Sequence, residues 1–128
     1  MSATTQTLIG RWAADNGLPP PSPTSAGQLS VTIDRVRVHL VTLRAGEVLV
    51  EARVRDLPAA LAERSQMLQK ALELSTARMS ESAASPVVDA GASYLKLQVR
   101  ISAQSTSDEF DKALSMIVNE VELWRGFL

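Results

Sequence analysis

The chain has 128 residues, 13 Lys plus Arg against 14 Asp plus Glu for a formal charge of −1, no cysteine and one histidine. That length suits one domain with a real core, whereas the even charge excludes the basic block that nucleic-acid binding requires, and the residue types exclude disulfides, a thiolate nucleophile and a histidine metal cluster. The opening "MSATTQTLIG" lacks the basic and apolar stretches of a secretory leader, and no apolar run reaches the roughly 18 residues of a membrane span, so a cytoplasmic location without membrane insertion is expected.

Residues 4–16 place Leu8, Ile9, Trp12 and Ala13 at helical spacing, and Gly17 followed by Pro19 supplies stop chemistry. The next segment, 18–28, "LPPPSPTSAGQ", removes backbone donors and favours extended, solvated conformations, which predicts a loop. Leu29, Val31 and Ile33, then Val36, Val38 and Leu40, alternate with mostly polar residues and predict two strands. "DR" between them is a poor two-residue turn, because neither residue readily takes φ > 0, so a bulge or a longer turn is expected.

"RAG" at 44–46 is better turn material, and it leads into "GEVLVEARVRDLP". There Val48, Val50, Ala52 and Val54 share one face of a strand, and Leu49, Glu51, Arg53 and Arg55 share the other. The first face is expected to meet the core and the charged face to meet solvent. These three strands predict an antiparallel meander.

Pro58 suits the first turn of a helix, and 59–79 contains strong helix formers with neither Gly nor Pro. Its apolar residues fall into two rows: Leu61, Leu68, Leu72, Ser75 and Met79, and beside them Ala60, Met67, Ala71 and Leu74. A stripe this wide exceeds what one sheet face needs. Either a second copy covers it, with Met67, Leu68, Ala71, Leu72 and Leu74 at a homodimer interface, or one large intramolecular groove does.

"SESAASP" ends that helix, and "VVDAGASYLKLQVRIS" reads as two strands turned by "DAG". Leu95, Leu97, Val99 and Ile101 define the core face; Tyr94, Lys96, Gln98 and Arg100 define the other. "TSDE" at 106–109 supplies a capping box from Thr106 and Glu109. After it Phe110, Leu114, Ile117, Val121, Trp124 and Leu128 form one helical seam, with Leu123 and Phe127 off it. The predicted order is α-β-β-β-α-β-β-α, an α+β single domain over 1–128 with an antiparallel sheet.

Chemistry has little foothold. His39 sits mid-strand as a polar-face histidine, carboxylates such as Asp34, Glu51 and Asp89 occur singly, and no phosphate-binding glycine loop or metal-ligand spacing is present. No enzyme, cofactor or metal site is expected.

Three features together resemble the small chaperones of bacterial type III secretion, the class I, Tir-chaperone or CesT-like family. "LIGRWAADNGLP" is similar to that family's opening helix with its Gly-Leu-Pro-like turn, Leu57-Pro58 to the junction that follows its meander, and the C-terminal amphipathic helix with Trp124 to its last element. The chain is less acidic than the family often is, and its proline-rich connection is long. The resemblance implies a homodimer that binds the N-terminal segment of a secreted effector and keeps it extended and export-competent without ATP hydrolysis. It further implies strand addition at a sheet edge and an apolar patch beside the first helix, here Leu8, Ile9, Trp12, Leu29, Val31 and Ile33, with ordinary core packing the alternative for these six. A dimeric adaptor or regulatory domain of the same fold, with another client, is the alternative.

Overall fold

The computed structural model describes residues 9, 12–17, 22–23 and 29–128. Among the described residues, six strands, β1 (Ser22–Pro23), β2 (Leu29–Ile33), β3 (Val36–Thr42), β4 (Val48–Asp56), β5 (Ser85–Val88) and β6 (Tyr94–Ile101), form one antiparallel sheet in the order β1-β2-β3-β4-β6-β5. The helices are α1, helical at residues 9 and 12–15, then α2 (Leu61–Arg78) and α3 (Ser107–Phe127). The expected α+β order is observed, with one addition. Ser22 and Pro23, inside the segment read as a loop, pair with Ser30 and Leu29 as a short outer strand. Proline is tolerated there because an edge strand does not need every backbone donor.

The β2–β3 turn corrects the sequence reading. Ile33 pairs directly with Val36, leaving Asp34 and Arg35 as a two-residue turn with φ of 49° and 69°. The alternating apolar residues of both strands fix the register, and the strands' right-handed twist favours a turn with two positive φ values. Tertiary register therefore overrides local preference. "RAG" behaves as expected: a 3₁₀ turn over Arg44–Gly46, with Leu43 N–H donating to Glu47 O at 2.8 Å.

The core lies between the sheet and its helices. Val36, Val38, Leu40, Val48, Val50, Ala52, Val54, Leu95, Leu97 and Ile101 are buried on one side of the sheet, as the period-two pattern requires. α3 lies across β3, β4 and β6 and contributes Phe110, Leu114, Ile117, Val121 and Trp124, all buried. Its start is fixed by the predicted capping box: Thr106 Oγ1 accepts from Glu109 N–H, and Glu109 Oε1 accepts from Thr106 N–H, both at 3.1 Å. Leu123 and Phe127 are exposed off the seam.

α1 ends at Gly17, whose φ of 65° suits a glycine after a helix C-terminus. It is tied to α3 by Trp12, edge-on to Phe110 at 5.7 Å with Nε1 donating to Asp111 Oδ1 at 2.8 Å, and by Ser107 Oγ donating to Asp15 Oδ2 at 2.9 Å. α2 begins at Leu61, after Ala60 in extended conformation, and rests on β5.

Candidate binding surfaces

Five of the six residues expected in the client patch are described, and they fall into two groups. Ile9 and Trp12 are 3% and 2% exposed and belong to the core. Leu29, Val31 and Ile33 are half-buried on β2, packed against that core. Leu8 lies outside the described residues. β2 is also where the sheet offers backbone: among the described residues its outer edge is paired only at Leu29 and Ser30, by β1. No described residue pairs with the outer edge of Val31–Ile33, where half-buried apolar side chains lie next to the backbone groups of the strand.

The two rows of α2 separate by burial except at Leu68 and Ser75 of the first row, which are half-buried, and Ala60 of the second, which is exposed. Ala71 and Leu74 are buried in the chain's own core, and Met67 and Leu68 are partly buried against it. Intramolecular packing thus takes the row Met67–Ala71–Leu74. The other row stands out: Leu61 and Leu72 are each 69% exposed and Met79 is 73% exposed. Eleven and seven residues separate them in the sequence, which at 100° per residue places all three near one line on the helix. Of the five interface residues expected from sequence, Leu72 alone is fully presented to a partner, and Leu61 and Met79 join it. The signal for them was the first apolar row itself.

α2 is anchored at its far end by an arrangement the sequence did not disclose. Arg78 donates to the buried Glu120 of α3 through Nε at 3.1 Å and also through Nη2, and to Glu81 Oε2 through Nη1 at 2.7 Å. Trp124 Nε1 donates to the other Glu120 oxygen at 3.1 Å. The ion pairs hold the Arg78 guanidinium above its ordinary value, the hydrogen bond to Glu120 being the main cause. Nothing in the amphipathic pattern marks Glu120, because its partners come from another helix.

The outer face of the sheet is not uniformly wet. His39 and Glu51 pair across β3 and β4, and Glu51 and Gln98 across β4 and β6. Glu51 is buried, accepting from Gln98 Nε2 at 2.8 Å and facing Lys96 Nζ at 3.1 Å. This corrects the expectation that it faces solvent: its cross-strand neighbours cover it. Beside it the Arg53 guanidinium stacks on the Tyr94 ring at 3.8 Å. His39 Nδ1 is buried without a hydrogen-bond partner among the described residues, and burial is the main cause that lowers the imidazole's pKa from 6.5. A register shift at Arg53/Arg55 turns the end of β4, where Arg125 donates to Val54 O and Arg53 O, both at 2.9 Å.

Among the described residues no group of three His, Cys, Asp or Glu could hold a metal, and no helix is long and apolar enough to cross a membrane. What the surface offers is a part-covered sheet edge with apolar side chains, an apolar helix stripe and a charged sheet face. These are means of holding another polypeptide. The sequence matches the model of the Tir chaperone protein family over residues 7–125.

The chain belongs to the Tir chaperone protein (CesT) family. No individually curated protein matches it in sequence. Among solved structures, this CesT-family chain is similar to one in the ExsC–ExsE complex, at 22% identity and TM-score 0.73, covering 98% of this chain and 95% of that one. It is similar to a chain of the HopA1–SchA chaperone–effector complex at 13% identity and TM-score 0.72, covering 96% and 94%. A third is in the ExoT–SpcS complex from Pseudomonas aeruginosa, at 17% identity and TM-score 0.68, covering 95% and 97%. At such identities the likenesses establish the fold. The family match bears out the resemblance read from the sequence, and with it the reading of the chain as a type III secretion chaperone that binds effectors.

Proposed function

We propose that this CesT-family chain works as a cytoplasmic homodimer that binds the N-terminal segment of a secreted effector and keeps it extended and export-competent without hydrolysing ATP. The observation that carries the reading is the family match over residues 7–125. Its support is twofold. Three similar structures are described as complexes, one of them expressly as chaperone with effector. In this chain, the Val31–Ile33 edge, which no described residue pairs, carries half-buried apolar side chains, which suits addition of a client strand. Free energy for holding the client comes from burial and backbone pairing, which need no nucleotide.

The exposed row Leu61, Leu72 and Met79 supplies the contact between copies. Apolar side chains aligned on a helix and left without a partner in one chain gain from mutual burial. Co-expression with the N-terminal segment of the product of an adjacent reading frame tests the client role. A complex that survives size-exclusion chromatography, with an interface above about 1,000 Å², is expected. Failure of every neighbouring or co-expressed secretion substrate to form one would sink the reading.

A further inference from the structure

The outer sheet face gathers cations that the chain's own carboxylates do not neutralise. Cross-strand pairs bring Arg37 beside Thr32, Leu49 beside Arg100 and Arg53 beside Lys96 on that face. Arg37, Arg53, Lys96 and Arg100 against Glu51 and Asp56 give it +2. The whole chain carries 13 cations and 14 anions, so the remainder has 9 and 12, or −3. All 14 carboxylate side chains lie among the described residues. Only Glu51, with Lys96, and Asp56, 3.7 Å from Arg53, pair with this group. The side chains of Arg37 and Arg100 are exposed, with no ion-pair or hydrogen-bond partner among the described residues.

The field has a shape. Lys96 and Arg100 stand four residues apart on β6 and Arg37 lies two strands away, so the cations span about 13 Å along the strands and about 10 Å across them. Arg53, stacked on Tyr94, turns its guanidinium edge outward to carboxylates, with Nη1 3.7 Å from Asp56.

We infer that the outer sheet face around Arg37, Arg53 and Arg100 is a docking site for an acidic, extended segment of a partner protein. A few carboxylates fit a +2 field of this size. A long polyphosphate would run past it onto a remainder of charge −3, so charge complementarity favours the acidic peptide over nucleic acid. This site lies on the sheet's face and does not depend on strand addition at β2.

The test measures binding of a labelled oligoglutamate peptide to the full chain by fluorescence anisotropy at low ionic strength, beside oligolysine and a single-stranded oligonucleotide. The variant Arg37→Glu with Arg100→Glu changes two exposed residues; Lys70→Glu with Lys112→Glu makes the same charge change on the helices, also at exposed positions. Circular dichroism melts check folding. The expected result is oligoglutamate binding that weakens about tenfold or more in the sheet-face variant, changes less than about twofold in the helix variant, and falls with added salt. Absence of oligoglutamate binding, equal losses in both variants, or tighter binding of the oligonucleotide overturns the assignment.

Discussion

His39 and Glu120 are two partly or fully buried polar residues with opposite fortunes. Around His39 stand Glu51, Arg37, Arg53 and Lys96; burial is the largest effect on it, the three cations act in the same direction, and Glu51 opposes them. The unfolded chain takes up this proton near 6.5, the folded chain only at lower pH. Stability is therefore unaffected above the unfolded value and declines as pH falls below it toward the lowered folded value. Thermal melts on either side of pH 6.5 are expected to differ less for His39→Gln than for the parent chain. Asp89 acts in a lower window. Its Oδ1 accepts from Tyr94 N–H at 2.8 Å and Ser93 N–H at 2.6 Å, and the backbone hydrogen bonds, that from Tyr94 foremost, lower its pKa below 3.8. Its contribution is present above that value and lost as pH falls through the folded one.

Glu120, by contrast, has each oxygen engaged, one by Arg78 and one by Trp124. Glu120→Ala leaves the buried indole N–H without an acceptor and frees the end of α2. The melting temperature is expected to fall by roughly 5–10 °C. Glu120→Gln retains an acceptor for Trp124 and should lose less, a difference that circular dichroism melts can resolve.

At the scale of elements, the β2–β3 turn holds unused stability. Asp34 and Arg35 occupy left-handed backbone regions that cost non-glycine residues on the order of 1 kcal/mol each. Asn-Gly is the preferred pair for such a turn, so Asp34→Asn with Arg35→Gly is expected to stabilise the chain by about 1 kcal/mol in urea unfolding.

α3 was legible in the sequence because its apolar residues keep one seam and its start carries a complete capping box. α2 was legible as a helix but not as a face: Ala71 and Leu72 are adjacent in sequence, yet one is buried and the other 69% exposed. Both belong to apolar rows, and what separates them is which side of α2 meets the rest of the fold, which local pattern does not encode. The burial of Glu51 depended likewise on Lys96 and Gln98 arriving from a strand more than forty residues away. Of the expected client patch, the sequence placed Leu29, Val31 and Ile33 on one strand but carried no sign that Trp12 would be edge-on to Phe110 within the core.

The whole molecule leaves the Leu61–Leu72–Met79 row outside its own core. If this row joins two copies, as proposed, a charge at its middle opposes assembly without disturbing a buried contact. Leu72→Arg is expected to give a monomer or an aggregate by light scattering, with α-helical content retained in any monomer. A well-folded, unchanged dimer removes α2 from the interface. Because Leu72 is so exposed, thermal stability measured on any monomer should be nearly that of a monomeric parent.

The strand order also sets a timetable for synthesis. β2, β3 and β4 are neighbours in sequence and in the sheet, but β4's other partner, β6, comes only after α2 and β5. The central pairing therefore closes a long loop and waits for distant residues. Even a completed sheet has an uncovered apolar face until α3 brings Phe110, Leu114, Ile117, Val121 and Trp124. A nascent chain paused before α3 would itself expose the kind of surface that invites aggregation. The helix that closes the apolar sheet face is thus the last part of this chain to be made.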